Sequence, residues 1–362
     1  MRILHILPHL SKGGAERQFG YLAPELVRMG HEVHVAYLAE GPGRPELPGV
    51  VLHQLKSRSN YSPFLLWQLI GLIRRIKPDI VHTWILQMDI LGGLAAKLGG
   101  VPWVLREPSS VLRYQPTWKN RLRILVGSGA SAIVSNSQGG DKYWKKKLPD
   151  GSRYIVPNAL PLGEIDKTVA ALPPGMVKSE APIVLCVGRI VEHKGMGALL
   201  ESLTRVRLQQ NALGVLCGEG PDRSKLEELK HRLGLDANVY FTGHILASSA
   251  WALMKKASVF VSLSAYEGCP NAVIEAMACG CPLILSDIPA HREIVNENYA
   301  IFVEPSNIQQ VADAIIQALR DTDASKNRAL AAKQKSQEWS IPKMAQHYET
   351  VYRDSIRGYR EA

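Results

Sequence analysis

Apolar residues along this chain fall into two rhythms that take turns. Short unbroken runs rich in Val, Ile and Leu predict strands buried on both faces, and longer stretches with apolar residues three and four apart predict amphipathic helices. In the first half the strand runs are residues 3–8, 32–37, 50–55, 80–83, 103–106, 132–135 and 154–156, with helices at 15–29, 63–76 and 88–98. A stretch rich in proline and alanine follows, from Pro157 to Pro182. The pattern then restarts, with strands at 183–187, 214–217, 239–241, 259–263, 283–285 and 300–303. Helices are expected between them at 195–209, 223–233, 248–255, 271–278 and 308–319, and a last one at 342–357. Strands that alternate with helices in this way form parallel sheets wrapped on both faces, with ligand sites at the strands' carboxyl ends. The expected fold is α/β, two Rossmann-like doubly wound domains facing a cleft. The expected divisions are 1–163, a linker at 164–182, a second domain at 183–338, and a helix at 339–362 crossing back toward the first.

Composition narrows the class. The 362 residues are 46% hydrophobic and 21% charged, which suits a globular protein of two ordinary domains. The most lipophilic stretch, 64–73, is interrupted by Gln68 and followed by Arg74 and Arg75; it is too short to span a bilayer and predicts a packed surface helix. Nothing at the amino terminus reads as a signal peptide. Five cysteines, two of them in Cys279–Gly280–Cys281, form no Cys-x-x-Cys pair, so a reducing cytoplasmic setting is expected.

Charge is unevenly placed. Residues 1–165 hold 21 Lys and Arg against 11 Asp and Glu, whereas residues 166–362 hold 22 of each, so the whole net charge of +10 sits in the first half. Arg113, Lys119, Arg121, Arg123 and Lys145 to Lys147 stand out, interleaved with Trp118, Tyr143 and Trp144. Basic residues with interfacial aromatics suit a membrane face or a phosphorylated lipid. A nucleic acid is the other partner such a patch would fit, and a merely solvated basic helix is the plainer account.

The richest chemistry lies at 265–280, after the apolar run 257–263. A Glu-Gly-x-Pro turn places Glu267 before the helix and Glu275 one to two turns inside it, with Pro270 near the first helical position. Two carboxylates beside the free amides of a helix start can share one ligand that offers hydroxyls to the former and an anion to the latter. A sugar nucleotide offers both. A turn with one solvated and one capping glutamate would look the same. In the same half, the strand 183–187 runs into Gly188–Arg189 and on to Lys194–Gly195. Two cations at a helix start oppose its dipole, and a diphosphate between them would resolve the conflict. Gly218 and Gly220, and Gly243, mark two more glycine turns at carboxyl ends of the same sheet. In the first half, Gly13 and Gly14 precede a helix after the first strand, where backbone amides can meet a ligand.

These segments together resemble the retaining family 4 glycosyltransferases of GT-B fold, the glycosyl transferases group 1. The likeness rests on Val187–Gly188–Arg189 with Lys194–Gly195, on Gly218–Glu219–Gly220–Pro221 and Phe241–Thr242–Gly243, and on Glu267–Gly268–x–Pro270 with Glu275–Ala276–Met277–Ala278. It covers essentially the whole chain. The resemblance implies a nucleoside-diphosphate sugar, UDP-linked by expectation, held mostly by the second domain. Arg189 and Lys194 would hold the diphosphate and stabilise the leaving group. Glu275 would bind the ribose, Glu267 the donor sugar, and the amides of Gly268, Cys269, Pro270's neighbours and Asn271 the donor oxygens. Gly13 and Gly14 would close over the diphosphate from the first domain. No metal and no other cofactor is expected.

One departure touches the acceptor side. Many members carry a histidine after the strand that follows Gly-Val-Pro, and here Pro108 stands there, behind Arg106 and Glu107. Arg106, Glu107 and His82 are the acceptor-side candidates, His82 weighed against a structural role. In the mechanism favoured for such enzymes the leaving phosphate itself can take the acceptor's proton. Asp321 and Asp323 suggest a metal site of another glycosyltransferase fold but lie away from every glycine loop. His193 reads as a neighbour of the phosphate loop, and Cys279 and Cys281 as packing groups. The expected acceptor is a glycan or a polyprenyl-linked glycan, in cell-surface polysaccharide or glycolipid synthesis, with the protein cytoplasmic or peripheral on a membrane. The rivals are a nucleotide-sugar epimerase, a non-catalytic sugar-nucleotide-binding protein, and a nucleic-acid binder; the glycine-loop set has no role in the last, and no nucleic acid is expected.

Overall fold

The computed structural model describes residues 1–11, 13–57, 62–108, 117–173 and 180–361. Arg113, named above, lies outside them. The chain divides into two compact units, Met1–Ala159 with Trp339–Ala362, and Leu160–Glu338.

The first unit opens with β1 (Arg2–Ile6), β2 (His9–Leu10), α1 (Gly14–Arg28), β3 (Glu32–Tyr37), β4 (Ala39–Glu40) and β5 (Val51–Gln54). Then come α2 (Pro63–Ile76), β6 (Ile80–Trp84), α3 (Leu86–Leu98) and β7 (Trp103–Glu107). The unit's first segment closes with α4 (Trp118–Gly127), β8 (Ala132–Ser135), α5 (Gln138–Lys147) and β9 (Arg153–Ile155). Seven strands pair in parallel in the order β5-β3-β1-β6-β7-β8-β9, and β2 and β4 make a separate small ladder. Chain order runs one way from β1 to β3 and the other way from β1 to β6, so a topological switch point lies between β1 and β6. Ser62 accepts from the Phe64 amide at 3.3 Å and Pro63 takes the first helical position, which starts α2.

The second unit begins with α6 (Leu162–Lys167) and β10 (Ile183–Val187), followed by α7 (Met196–Val206), β11 (Leu213–Cys217), α8 (Arg223–Arg232) and β12 (Val239–Gly243). It continues through α9 (Ala247–Lys256), β13 (Val259–Ser262), α10 (Asn271–Ala278), β14 (Leu283–Ser286) and α11 (Pro289–Arg292). It ends with β15 (Ile301–Val303), α12 (Ile308–Arg320) and α13 (Thr322–Lys335), and α14 (Ile341–Glu361) then belongs to the first unit. The six strands are parallel, in the order β12-β11-β10-β13-β14-β15. That is the doubly wound order, with its switch point between β10 and β13.

Each sheet has apolar residues on both faces because helices cover both. In the first unit Phe19 and Leu22 of α1 and Tyr348 and Tyr352 of α14 bury one face, while Leu65, Leu69 and Ile73 of α2 with Met88 of α3 bury the other. In the second unit Leu199, Leu203 and Val206 of α7 and Val311 and Ile315 of α12 pack over one face of the sheet.

Three expectations change here. The units part at residue 159, and residues 162–167, which straddle the expected start of the linker, are helical and pack against α9 and α10. Helices α4, α5 and α13 fill stretches left unassigned above. Asp321, weighed as a metal ligand, caps α13 by accepting from the Ala324 amide at 3.1 Å.

Candidate active site

Every loop singled out in the second unit leaves the same edge of its sheet, because all six strands are parallel and each loop follows a strand. The loops after β10 and β13 flank the switch point, where doubly wound folds bind ligands. Backbone contacts fix them to each other. The Ala265 amide donates to the His193 carbonyl at 2.8 Å, and the His193 ring stacks on Tyr266 with centroids 4.5 Å apart. Gly195 has φ +66°, and a Cβ there would lie 2.3 Å from the Leu263 carbonyl oxygen. Only glycine fits that left-handed, crowded position.

The loop after β11 is fitted just as tightly to the loop after β10. Gly218, at φ +140°, would put a Cβ 1.9 Å from the Gly188 carbonyl, and Gly220 would put one 2.0 Å from that of Ile190. The Ile190 amide donates to Glu219 at 2.9 Å, and the Gly218 amide donates to Gly243 at 3.0 Å, tying in the end of β12.

On this frame Lys194 and Glu267 meet directly in an ion pair. Lys194 ends a short 3-10 turn, Glu192–Lys194, and Glu267 stands in the turn before α10. The Glu267 carboxylate also accepts from the Ser264 hydroxyl at 2.7 Å. The conflict between two cations and a helix start is therefore settled at Lys194 by protein. Arg189 is exposed and makes no hydrogen bond or ion pair among the described residues. Glu275 is buried, 6% exposed, on the second turn of α10. Pro270 caps that helix from outside and Asn271 is its first residue, as the expected span 271–278 has it. Gly268, Cys269 and Asn271 are half-buried around the helix start, whose first amides have no partner further up the helix.

Sequence reasoning missed the support behind Glu267. The Ser286 hydroxyl, at the end of β14, donates to the Ser264 carbonyl at 2.6 Å. The His291 Nδ1 lies 2.9 Å from the Ser286 carbonyl. That contact makes Nδ1 the protonated nitrogen, and burial holds the imidazole below its ordinary range, hence neutral. The chain from His291 through Ser286 and Ser264 to Glu267 links residues far apart in sequence and carries no periodic signal. Cys279 and Cys281 are packing groups: their thiols face the Trp251 and Ala257 carbonyls, and burial pushes the Cys279 thiol up to about 12 and raises that of Cys281.

In the first unit Gly13 caps α1 and Gly14 opens it, close after β1 in the chain. The three acceptor-side candidates are interior groups. His82, fully buried, shares a hydrogen bond of 2.7 Å with the Tyr352 hydroxyl. Arg106 donates to Tyr348 at 3.1 Å and to Asn158 at 2.6 Å and lies over the Trp84 ring. Glu107 accepts from Arg123 at 2.7 Å and from the Trp144 indole at 3.0 Å, and Arg123 also bonds Asp89 at 2.7 Å. None of the three is more than 2% exposed. As folded they hold protein, which corrects their assignment as direct acceptor contacts. Trp144 and Arg123 leave the proposed basic surface for the same reason.

Comparison with known proteins shows the family and the fold. The model of the family Glycosyl transferases group 1 matches residues 174–337, and that of Glycosyltransferase Family 4 matches residues 12–163. The chain belongs to the family 4 glycosyltransferases. It is 26% identical to the lipopolysaccharide core biosynthesis glycosyltransferase LpsD of Rhizobium meliloti over 91% of each chain. It is 24% identical to an uncharacterized glycosyltransferase of Methanocaldococcus jannaschii over 83% of each. Among solved structures, Anabaena HepE in complex with UDP and glucose superposes with a TM-score of 0.78 at 19% identity, over 97% of this chain and 99% of that one. A sucrose-phosphate synthase of Thermosynechococcus elongatus gives a TM-score of 0.80 at 21% identity, over 99% of each. The fold of this family 4 chain is accordingly GT-B, two Rossmann-like domains.

Proposed function

We propose that this glycosyltransferase transfers a hexosyl or N-acetylhexosaminyl group from a UDP-sugar, with retention at the anomeric carbon, to a glycan or polyprenyl-linked acceptor in cell-surface polysaccharide or glycolipid synthesis. The observation that carries the reading is the meeting of Lys194 and Glu267 at the switch point, with Arg189 exposed in the adjoining loop. The ammonium lies where a leaving diphosphate needs charge, and the carboxylate lies beside it, where the sugar's hydroxyls need an acceptor. Glu275, further along α10, takes the ribose. The donor's C1–oxygen bond breaks toward the diphosphate, the acceptor oxygen bonds C1, and its proton passes to the departing phosphate oxygen. Arg189 as a planar fork and Lys194 as a point charge stabilise the negative charge that develops there. This scheme asks for no metal. Amides at Gly13 and Gly14 are proposed as further phosphate donors.

HepE has been solved with UDP and with UDP-glucose, and LpsD is named for lipopolysaccharide core synthesis; both support the choice of donor and product class. Five free cysteines, four of them buried, support a cytoplasmic setting. The test is to incubate the protein with UDP-sugars and an acceptor extract and to read the new anomeric bond by NMR. Retained configuration supports the reading. An inverted bond, or donor turned over to an epimer without acceptor, refutes it.

A further inference from the structure

Helices α2, α3 and α4 lie side by side on one face of the first unit's sheet, α3 packed between the other two. Each joins two parallel strands, so all three run the same way, with their first turns at the sheet's carboxyl edge. Their outward positions are unlike those of an ordinary solvated layer. On α2, Phe64 and Trp67 are 62% and 68% exposed, and Gly71, Arg74 and Arg75 continue the same stripe. On α4, Trp118 and Leu125 are 65% and 70% exposed, with Arg121 on the same side. Between them α3 presents half-buried Leu91 and Leu94 and ends in exposed Lys97 and Leu98.

The charge on this layer has one sign. Asp89 is the only carboxylate on the three helices, and it is buried against Arg123 and Thr83. Arg74, Arg75, Lys97 and Arg121 are exposed, and none meets a carboxylate among the described residues. Asp79, just beyond α2, accepts the Arg2 amide at 2.7 Å. On the sheet's other face α14 pairs two of its four cations, Arg353 with Glu349 and Arg357 with Asp354. A protein partner would match apolar shape with paired polar groups. Exposed tryptophans among unpaired cations fit the headgroup region of an anionic bilayer.

We propose that the α2–α3–α4 layer is the surface by which this chain lies on anionic lipid, with Phe64, Trp67, Trp118 and Leu125 entering the headgroup boundary and Arg74, Arg75, Lys97 and Arg121 meeting lipid phosphates. This deepens the lipid-linked acceptor part of the proposed function and stands without its donor part. It moves the interfacial role away from Tyr143 and Trp144, since Trp144 is fully buried. Each basic residue held at such a surface is worth about fivefold in binding.

The test is vesicle flotation of the full chain without nucleotide. Vesicles of phosphatidylcholine are compared with vesicles in which about a third of the lipid is phosphatidylglycerol. The anionic vesicles should bind at least about tenfold more tightly in low salt, and raised salt should remove most of the difference. Arg74→Glu with Arg75→Glu, and separately Trp67→Ser with Trp118→Ser, should each cost about tenfold or more. Lys343→Glu with Arg360→Glu, on exposed positions of α14, should change binding less than about threefold. UDP affinity, measured by calorimetry, should stay unchanged in every variant, which shows that each is folded and keeps this result separate from the donor reading. Equal binding to both vesicles overturns the proposal, as does equal loss from the α14 variants. Concentration-dependent dimers that the tryptophan variant abolishes, with no vesicle binding, would make the layer a protein interface and also overturn it.

Discussion

Replacing Gly195 with alanine tests whether the loop carrying Lys194 is held in place by the end of β13. The alanine must keep φ near +66°, a left-handed conformation that costs an L-residue about 1–2 kcal/mol. Its Cβ must also clear the Leu263 carbonyl oxygen, 2.3 Å away, which requires a backbone shift of roughly 1 Å and about 1–3 kcal/mol of overpacking strain. The two terms together predict a loss of about 2–5 kcal/mol, or a drop in melting temperature of roughly 10 °C for a unit of this size. Lys194 is the residue just before it, so a shift of that size should also lower UDP affinity about tenfold or more. Gly197 supplies the control. It lies in the first turn of α7, and a Cβ there would meet only Leu229 and Leu226 side chains at 3.7 and 3.9 Å. Gly197→Ala should be neutral or about 0.5–1 kcal/mol stabilising. Urea unfolding of both variants, with calorimetric UDP titration, reads the outcome. If Gly195→Ala unfolds like wild type and binds UDP normally, the two loops are not locked as described.

Arg189→Ala and Lys194→Ala should each cost about 2–4 kcal/mol of transition-state stabilisation, read as kcat/KM for transfer. Only Lys194→Ala should also lower the melting temperature, because it strands the Glu267 carboxylate, whereas Arg189 has no partner among the described residues to abandon. Glu275→Gln should weaken donor binding with little change in melting temperature. Ser264→Ala removes a hydrogen bond to a carboxylate and should lower kcat by roughly tenfold with donor KM little changed; an equal rise in KM would argue against a positioning role for the hydroxyl. Acid should destabilise the first unit. Burial pushes His5 down to about 3 and His82 well below its ordinary range, so the unfolded chain binds protons that the folded unit refuses once pH falls below about 6.5. From pH 7 to pH 5 His5 costs about 2 kcal/mol of stability, with His82 acting in the same direction, and His5→Asn should flatten that part of the urea-unfolding profile. An unaltered slope would contradict it.

Much of the fold was legible because strands buried on both faces announce themselves as apolar runs. Residues 32–37, 132–135 and 183–187 coincide with β3, β8 and β10, and 271–278 with α10. Helices with weak inward stripes were not legible. α5 buries Trp144 and Gly140 amid lysines, and α13 faces inward with Ser325, Ala329 and Ala332. Neither offers a strong apolar period for a sequence to show. At the site, the glycine turns were readable because steric crowding leaves no alternative residue. The pairing of Lys194 with Glu267 was not, since 73 residues separate them and only the ends of β10 and β13 bring them together. Arg106, Glu107 and His82 misled for a related reason. Polar residues at a strand's end face a ligand or face protein with equal ease, and only the packing of α4 and α14 shows that these three face protein.

A crystal structure of the protein with UDP bound would test the central claim most directly. Phosphate oxygens within hydrogen-bond reach of both Arg189 and Lys194, with the ribose hydroxyls on the Glu275 carboxylate, is the predicted outcome. UDP seated against other residues, with the Lys194–Glu267 pair untouched and Glu275 still covered, would contradict it.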